Sequence, residues 1–542
     1  MKIALYHGYE LGGSGSNEYT RYLALTLAKL GHEMMVICAD LEPESYDFLS
    51  RAVAYDKDGT PTELFTRENK LPAPIGLHQL PRTSVYPVYI TDKQRSGTVK
   101  AFHEMSDAEI DEYHQAMVKS VTRALSDEKP DVLHVNHLIY QPIVAAEACK
   151  VTGTPFYVVP HGSSIEYTVN EDKRFLDAGR QGLEACQGVA WIAREVRDRV
   201  FKLYPELDAE IRGKSHMVGV GTDTSLFSPL EKSARAQAIA ELKSMHRPGG
   251  KTAAQRQELK NALDKGDLQA TQAYWNAYNH KLEDDDLPAI LDGLPVDEDM
   301  IFFVGAMTYG KGIQSLIAAM PGVLARRPKT HLVLVGSGTY REVLEALCHA
   351  LQSGNLELFD RLVDKGKDLE RQKMSGPLED LAAYAAKTEN RVVLEELGPK
   401  LAGHVHFIGR LDHPRLKCIF PCAQVGAFPS VVKEASPLVF MESLANAVLP
   451  SGSYHSGLRE GLDDLKEHLP DAIWQRMKFE VEPATRIETM ADNLAALLDE
   501  LEEREIGPGL RKLAVDRYDW KTVAESLVVL AQTIVNQQVA PG

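Results

Sequence analysis

A buried strand, a loop and the start of a helix follow one another in the stretch Phe428-Pro429-Ser430-Val431-Val432-Lys433-Glu434-Ala435-Ser436-Pro437-Leu438-Val439-Phe440-Met441-Glu442. The apolar run that ends at Phe428 is typical of a buried strand, and the residues after Pro437 favour a helix from Leu438 to about Ala447. Strand-to-helix turns of this kind are the repeated unit of doubly wound α/β domains. The stretch therefore predicts an α/β fold.

Two glutamates and a helix start make this loop a candidate ligand site. The first amides of a helix, here those of Leu438 and Val439, are unpaired, and the helix dipole favours an anion in front of them. Glu434 lies in the loop and Glu442 lies about two turns into the helix. A carboxylate beside an anion site suits a ligand with phosphate and hydroxyl groups, such as a nucleotide sugar. Glutamates at this spacing also occur by chance, so the rest of the chain must decide whether this loop is a ligand site.

The length and charge of the chain narrow the class of protein. With 542 residues it is too long for one core, and two domains of about 200 residues are expected. The formal net charge of −17 argues against a nucleic-acid binder and against general docking on anionic lipid, although a local basic patch remains possible. The composition is otherwise that of an ordinary globular protein.

The start of the chain and its cysteines bear on the compartment. Met1 leads directly into a strand, and no apolar run reaches membrane-spanning length, so we expect a cytoplasmic protein without signal peptide or transmembrane segment. The six cysteines are scattered and lack paired metal-ligand spacing. Even Cys418 and Cys422, one helical turn apart, are expected to be buried thiols rather than zinc ligands.

The first part of the chain alternates strands and helices. A strand at Lys2–Tyr6, a glycine-rich loop, a helix from about Asn17 to Leu30 and a strand at Met34–Cys38 begin a doubly wound domain. The Pro-rich segment from about Thr60 to Pro87 is expected to be an irregular surface loop that contributes to acceptor specificity. Further strands are predicted at Val132–Val135, Phe156–Val159 and Val189–Ile192.

A second α/β pattern follows the first. We place one Rossmann-like domain at residues 1–222, a second at 223–517, and a helix that crosses back to the first domain at 518–542. Two polar stretches, about 231–291 and 353–401, show no strand signal and are predicted to be helical insertions. The second domain is predicted to contain strands at 300–305, 331–336 and 405–409 and a helix at 313–326.

The glycine-rich loop of the first domain has two interpretations. Gly13-Ser14-Gly15 after a strand, with Asp40 at the end of the next strand, partly matches a dinucleotide-binding fingerprint. Glu18 stands where the third glycine or an alanine belongs. Alternatively, these glycines let the backbone approach a diphosphate that is presented by the other domain.

Lys311 and His161 are further candidate site residues. Lys311 lies between a strand and a helix, in the run Gly305-Ala306-Met307-Thr308-Tyr309-Gly310-Lys311-Gly312, where a lysine can reach a phosphate. His161 directly follows a strand, at the edge where open α/β sheets bind ligands. Each of these residues can also be an ordinary surface or core side chain, and His134, inside a strand, is expected to be a core residue.

Taken together, these features resemble family 4 of the retaining glycosyltransferases, which have the GT-B fold of two facing Rossmann-like domains. The most specific match is the Glu-x7-Glu spacing of Glu434 and Glu442. The resemblance covers most of the chain apart from the two polar helical stretches. It rests also on Phe428-Pro429-Ser430, the segments Ala445-Asn446-Ala447-Val448 and Ser456-Gly457-Leu458-Arg459-Glu460, the hinge-like run from Val218 to Pro229, and the Trp520 helix.

The resemblance implies a role for each matching residue. Glu434 would hold the hydroxyls of the donor sugar, Glu442 the ribose, and Lys311 the donor diphosphate, while His161 would contact the transferred sugar. Such sites usually work without a metal or other cofactor, because lysine and the helix dipole neutralise the leaving diphosphate. The donor-binding residues implied are Gly12, Gly13, Gly305, Lys311, Ser436, Leu438, Val439 and Glu442, with His161, Lys311 and Glu434 in catalytic roles.

Departures from the family pattern concern the donor more than the fold. Ala306 stands where the family has an arginine, and losing one such cation commonly costs about a hundredfold in rate, so Arg410 or Lys433 is considered as a substitute. Pro437 removes a backbone donor from the loop after Glu434. Pro450-Ser451-Gly452 replaces an apolar strand of the family.

The sequence therefore predicts a GT-B enzyme that transfers a hexosyl unit, most commonly from a UDP-hexose in this family, to an unidentified acceptor hydroxyl with retention of configuration. The helical insertions are candidates for homo-oligomer contacts, for capping the acceptor cleft or for mere decoration. Two other functions stay open: a glycoside phosphorylase that uses inorganic phosphate, and a non-catalytic GT-B binding protein.

Overall fold

The protein is described here from a computed structural model, which covers residues 1–13, 15–89, 99–370 and 374–539. It divides into two compact units, the first of Met1–Gly221 with Arg517–Gly542 and the second of Thr222–Asp516. The sequence placed the limits after residues 222 and 517. The acceptor and donor roles assigned to the two parts stay predictions.

The first unit is built on a mostly parallel sheet that contains nine strands among the described residues, in the order β11-β10-β9-β8-β1-β2-β5-β3-β4. Among the strand pairs that the structure describes in this sheet, only β3–β4 is antiparallel. Strands β1, β8 and β9 are almost entirely buried, as expected for the centre of a parallel sheet. The strands of this unit, including the small β6–β7 pair, are β1 Lys2–Tyr6, β2 Glu33–Cys38, β3 Arg51–Tyr55, β4 Pro61–Thr66, β5 Ile75–Gln79, β6 Tyr86–Val88, β7 Val99–Ala101, β8 Val132–Asn136, β9 Phe156–Val159, β10 Gly188–Trp191 and β11 Ser215–Met217.

The prediction of an irregular surface loop at Thr60–Pro87 was wrong. This segment contains β4 and β5, and β5 pairs in parallel with β2 on one side and β3 on the other. Ile75 and Leu77 are fully buried in the sheet. The strand has only five residues and lies between Pro-rich flanks, so its apolar alternation was too short to recognise.

Helices alternate with the strands of this unit, as the sequence predicted. The first helix was expected from Asn17 to Leu30 and is observed at Gly15–Lys29, where it buries Leu23 and Leu27. Ser14, part of the glycine motif, lies outside the described residues. The helices are α1 Gly15–Lys29, α2 Asp107–Glu128, α3 Gln141–Thr152, α4 Gly162–Ser164, α5 Arg174–Ala185, α6 Arg194–Leu203 and α7 Asp208–Gly213.

The second unit is built on a parallel sheet in the order β14-β13-β12-β15-β16-β17. Strand β12 lies between β13 and β15, so the chain winds in both directions from it. Residues 450–452, which replace an apolar strand of the family, nevertheless lie within buried β16. The strands are β12 Asp299–Val304, β13 Thr330–Val335, β14 Val405–Gly409, β15 Val425–Phe428, β16 Leu449–Ser453 and β17 Lys478–Phe479.

Both predicted insertions are helical, and no strand interrupts them in the residues that the structure describes. The insertion at 231–291 contains α8 Arg235–Ser244, α9 Ala253–Asp264, α10 Ala270–Trp275 and α11 Leu287–Asp292. The insertion at 353–401 contains α14 Leu356–Lys365, α15 Glu379–Ala385 and α16 Thr388–Leu397. The other helices of this unit are α12 Ile313–Arg326, α13 Arg341–Gln352, α17 His413–Ile419, α18 Leu438–Ala445, α19 Ser456–Asp464, α20 Asp471–Arg476, α21 Arg486–Glu503 and α22 Gly507–Tyr518.

The last helix, α23 Trp520–Val539, packs on the first unit. Trp520 lies 5.4 Å from the ring of Tyr19 and stacks on Tyr22. Gly221 faces the same indole so closely that a side chain there would meet it. In the described part of the chain, no helix is both long and apolar enough to cross a membrane.

Candidate functional site

Lys311 and Glu434 meet at the carboxyl edge of the second sheet. Lys311 Nζ donates to Glu434 Oε1 at 2.5 Å, although the residues lie 123 positions apart in the chain. The Ser430 hydroxyl donates to the same oxygen at 2.7 Å. The side chains of Lys311 and Glu434 are 29% and 17% exposed, so the pair remains open to solvent and to ligands.

The surroundings of Glu434 keep its carboxyl group ionised. Burial raises the pKa of this carboxyl, but the charge of Lys311 and the hydrogen bonds from Lys311 and Ser430 outweigh that effect. The net pKa is below the ordinary value of a glutamate. Glu434 is therefore a carboxylate at neutral pH. A carboxylate can accept hydrogen bonds from several sugar hydroxyls.

The two loops that carry this pair are joined by their backbones. Gly310 O accepts hydrogen bonds from Val431 N at 2.8 Å and from Val432 N at 3.3 Å. Gly312, the residue before α12, has a φ of 71°, and a Cβ there would lie 1.8 Å from Pro429 O. Only glycine fits this close approach, which holds Lys311 beside the loop of Glu434.

The start of α18 lies directly after this loop. Glu434 N donates to the Ser456 hydroxyl at 3.0 Å, and Gly457 N donates to Glu434 O at 2.9 Å. Pro437 precedes the helix, so the amides of Leu438 and Val439 are the first that α18 presents, while Ser436 is half-buried in the loop. The donor-binding roles of Ser436, Leu438 and Val439 stay predictions.

Glu442 lies on the buried face of α18 and is 4% exposed. One of its carboxylate oxygens is 3.3 Å from His413 Nε2. The structure thus gives Glu442 a partner on α17 that the sequence did not suggest. Its predicted contact with a ribose stays a prediction.

The loops after β12 and β14 contain the position of the missing arginine and its candidate substitutes. Ala306 is exposed and follows Gly305, whose role in donor binding stays a prediction. Arg410 directly follows β14, and Lys433 precedes Glu434. Both cations are exposed, and neither forms an ion pair with any residue that the structure describes. Each is therefore available to an anion at this edge of the sheet.

In the first unit, Gly12 and Gly13 lie on the loop after β1. Asn17 Nδ2 donates to Gly12 O at 2.6 Å, and Gly13 is exposed with a φ of 105°. Asp40, the acidic residue of the possible dinucleotide motif, is 4% exposed and accepts hydrogen bonds from Leu11 N and the Tyr46 hydroxyl, each at 2.9 Å. Its carboxylate is thus used to fasten the loops around it, which argues against a ribose-binding role.

His161 follows β9 and is a buried, neutral histidine. It is 6% exposed, and its Nε2 lies 2.9 Å from Asn136 Oδ1. Burial, with smaller effects of His7 and His134, lowers the pKa of His161 to about 3. Because an amide oxygen only accepts, Nε2 carries the proton and Nδ1 is left as an acceptor. His161 can therefore exchange hydrogen bonds with a hydroxyl but does not supply a positive charge.

The sequence did not single out Asn136 and His7, two polar residues of the network that includes His161. Asn136 Oδ1 also accepts from His134 Nε2 at 3.0 Å, which confirms His134 as a satisfied core residue. His7 Nε2 lies 2.9 Å from Asn17 Oδ1. Asn136 ends β8 and His7 follows β1, and these strands are neighbours of one another. The rule that polar residues at the carboxyl ends of adjacent parallel strands gather at one edge would have found them.

The predicted residues thus fall into one group in each unit. Lys311, Glu434 and the start of α18 belong to the second unit, and Gly12, Gly13 and His161 belong to the first. No cluster of three or more histidine, cysteine, aspartate or glutamate residues fit to hold a metal ion occurs among the described residues. The six cysteines are buried and unpaired by disulfides.

Solved structures of similar architecture identify the fold. The chain is similar over 99% of both lengths to sucrose-phosphate synthase of Thermosynechococcus elongatus, with a TM-score of 0.54 and 16% identity. It is also similar to Anabaena HepE in complex with UDP and glucose, with a TM-score of 0.53, 12% identity and complete coverage of both chains. The catalytic domain of Arabidopsis thaliana starch synthase IV gives a TM-score of 0.55 at 12% identity, with 99% of both chains covered. The fold is GT-B, as predicted.

Sequence comparisons match two parts of the chain to glycosyltransferase family models. Residues 14–204 match the model of the glycosyl transferase 4-like domain, and residues 292–362 match that of glycosyl transferases group 1. An uncharacterised glycosyltransferase of Methanocaldococcus jannaschii is 52% identical over 59 residues, which are 11% of this chain and 15% of that protein. The phosphatidyl-myo-inositol mannosyltransferase of Mycolicibacterium smegmatis is 24% identical over 251 residues, which are 45% of this chain and 48% of that protein. The matches therefore span less than half of these curated relatives. Both family models describe glycosyltransferases, so the matched segments support a family 4 type of glycosyltransferase.

Proposed function

We propose that the protein is a glycosyltransferase that moves a hexosyl unit from a nucleotide sugar to an acceptor hydroxyl with retention of configuration. A UDP-hexose is the first donor to test. The observation that carries this proposal is the contact of Lys311 with the ionised Glu434 at the edge of the second sheet, four residues before α18 begins. A cation, a carboxylate and free helix amides in one loop region match a ligand with a diphosphate and a sugar.

Relatives and structural neighbours guide the choice of donor. HepE of Anabaena has been solved with UDP-glucose, and starch synthase IV with ADP and acarbose. The mycobacterial relatives carry the name of mannosyltransferases. The donor panel therefore needs UDP-, ADP- and GDP-linked hexoses, because the base and the sugar both vary among these proteins.

The reaction breaks the bond between the anomeric carbon and the diphosphate oxygen, and forms one between that carbon and the acceptor oxygen. In a retaining reaction on one face, the departing diphosphate oxygen takes the acceptor proton, so no dedicated protein base is needed. Lys311 and the amides of Leu438 and Val439 would stabilise the leaving diphosphate, and Glu434 would hold the hydroxyls of the sugar. The roles of Gly12, Gly13, Gly305, Glu442 and His161 are proposed from the family pattern alone.

Release of nucleotide from a panel of nucleotide sugars tests the proposal. We expect slow hydrolysis of one donor class by the purified protein, and faster release when a suitable acceptor is added. The anomeric configuration of the product, read by NMR, tests retention.

Two results would replace the proposal by another function. Formation of a sugar phosphate from a glycoside and inorganic phosphate, without any nucleotide, would identify a phosphorylase. Binding of a nucleotide sugar without turnover, for every donor and acceptor tried, would identify a binding protein.

A further inference from the structure

The two helical insertions contact the loops that follow the central strands of the second sheet. Residues from 231–291 approach the loops after β13 and β14, and Glu370 from 353–401 contacts the loops after β12 and β13. These loops include the turn that carries Lys311. The insertions are thus built into the edge of the sheet where the proposed donor residues lie.

Glu370 makes the most direct of these contacts. Its Oε1 accepts hydrogen bonds from Tyr309 N at 3.0 Å and from the Thr339 hydroxyl at 3.0 Å. Tyr309 begins the 3-10 turn that ends at Lys311, and Thr339 lies in the loop after β13. One carboxylate oxygen therefore joins two loops that are adjacent in space because β12 and β13 are paired.

The burial of Glu370 makes the loss of these two hydrogen bonds costly in free energy. Glu370 is 3% exposed, and its second oxygen, Oε2, has no hydrogen-bond partner among the described residues. Burial raises the pKa of its carboxyl, and the bonds from Tyr309 and Thr339 only partly oppose that effect. A buried acid kept at such a position for packing alone would be costly.

The segment around Glu370 is fastened to the same unit. The Tyr340 hydroxyl donates to Gly366 O at 2.9 Å, and Leu378 N donates to Val363 O at 2.8 Å. Tyr340 is fully buried at the start of α13. The Tyr340 contact therefore ties Gly366, four residues before Glu370 in the insertion, to the start of α13.

The other insertion supports the neighbouring loops independently. His280 Nδ1 lies 3.1 Å from the Ser337 hydroxyl in the loop after β13. Asp284 lies so close to Gly409, at the end of β14, that a Cβ on this glycine would be 2.7 Å from the Asp284 carboxyl carbon. Both insertions thus limit how far these loops can move.

We propose that the 353–401 insertion fixes the position of the Lys311 turn through Glu370, which makes Glu370 a positioning residue for the proposed transfer reaction. This inference rests on the proposed function. Glu370 acts through the backbone of Tyr309, two residues before Lys311, and does not itself touch the donor. Electrostatic stabilisation of a leaving diphosphate depends on the distance and direction of the charged group. A small displacement of Lys311 would therefore lower the rate of transfer.

Hydrogen exchange tests the positioning directly and needs no turnover. In Glu370→Ala, we expect exchange of the peptide covering residues 305–312 to become about tenfold faster, since the Tyr309 amide loses its acceptor. Glu370→Gln keeps an accepting oxygen and should exchange as the wild type does. Glu389→Ala, which removes an exposed glutamate of the same insertion, is the matched control and should change nothing in this peptide.

Exchange in Glu370→Ala within twofold of wild type would overturn the inference, whether or not the protein proves to be a transferase. Where donor turnover is measurable, kcat of Glu370→Ala should fall about tenfold and Glu370→Gln should restore most of it. A purely structural role would instead lower the melting temperature and leave kcat of the folded enzyme unchanged, which also overturns the inference. Failure of the proposed function appears separately, as absence of any donor turnover in the wild type.

Discussion

At the scale of single residues, the chemistry of the second unit is concentrated in an ion pair that is neither buried nor fully exposed. Lys311 and Glu434 hold each other in place, and each also has the charge that a nucleotide sugar requires. Surface ion pairs contribute little stability, usually less than about 1 kcal/mol. A functional role explains this pair better than a structural one, and two predictions follow from it.

Glu434→Gln should lower sugar transfer about a hundredfold or more, because a neutral amide holds the donor hydroxyls less strongly than a carboxylate does. Initial rates of nucleotide release with the best donor provide the measurement. Glu480→Gln, an exposed glutamate of the same unit, is the control and should leave the rate unchanged. Equal activity of Glu434→Gln and wild type would remove Glu434 from the proposed site.

Lys311→Ala should lower the rate strongly and also move the acid limb of the pH–rate profile to higher pH. In the wild type, burial raises the pKa of Glu434, but Lys311 and the hydrogen bonds overcome this and keep the pKa below 4.5. Without the lysine charge the raising effect of burial is less opposed, so the carboxyl takes up its proton at a higher pH. A profile of kcat/KM between about pH 4 and 8 measures the shift.

The control for this experiment is Lys329→Ala, which removes a lysine whose side chain is 80% exposed. Its profile should coincide with that of the wild type. An acid limb in Lys311→Ala at the wild-type position would show that the charge of Lys311 does not act on Glu434.

At the scale of elements, the site depends on strand order. Because β12 and β15 are neighbours in the sheet, the loops that leave their carboxyl ends lie side by side, and the Lys311 turn meets the loop of Glu434. This is the point at which the sheet winds in opposite directions, where open α/β sheets bind ligands. The close contact of Gly312 with Pro429 O brings these two loops together.

Gly312→Ala should therefore destabilise the second unit by about 2 kcal/mol or more and reduce activity, since alanine is strained at a φ of 71° and its Cβ would collide with Pro429 O. Thermal unfolding and donor turnover measure the two effects. Gly509→Ala is the control, because Gly509 has open space around it and an ordinary φ. A melting temperature of Gly312→Ala equal to that of wild type would contradict the steric argument.

At the scale of the whole chain, the insertions prove to be parts of the second unit rather than loose appendages. Lys251, fully buried, donates to Glu345 Oε2 at 2.7 Å and to Glu342 Oε1 at 3.2 Å on α13. Arg256 from the same insertion bonds to Glu345 at 2.9 Å. Burial raises the pKa of Glu345, but Lys251 and Arg256 outweigh it and hold that pKa far below 4.5. These ion pairs attach the insertion at 231–291 to α13 of the second unit. The role of the insertions in oligomer formation stays a prediction.

Lys251→Met should destabilise the second unit by about 3–5 kcal/mol, because it removes the cation that faces the buried carboxylate of Glu342 and one of the cations that face Glu345. Lys243→Met in the same insertion breaks only the exposed pair with Asp292 and should cost less than about 1 kcal/mol. Urea unfolding of both variants tests the difference. Similar midpoints for the two variants would mean that the buried network contributes no more than a surface pair.

Much of the architecture was predictable because the information is local. The buried runs that form β1, β9 and β15 and the helix at Ile313–Arg326 appear as continuous patterns, and the structure confirmed each of them. Strand β5 was missed because it is short and flanked by proline. The contacts of Asn136 with His161 and of Glu370 with Tyr309 were missed because no local pattern connects residues 25 and 61 positions apart.

By itself, the sequence determined the alternation of strands and helices, the helical character of both insertions and the candidate residues Lys311 and Glu434. These follow from hydrophobic spacing and from residue types within a few turns of one another. Only the tertiary structure decided that Lys311 pairs with Glu434, that Asp40 fastens its own loop, and that the insertions hold the loops of the second sheet. Such contacts depend on which strands lie side by side, and strand order is fixed by packing of the whole domain rather than by any single stretch.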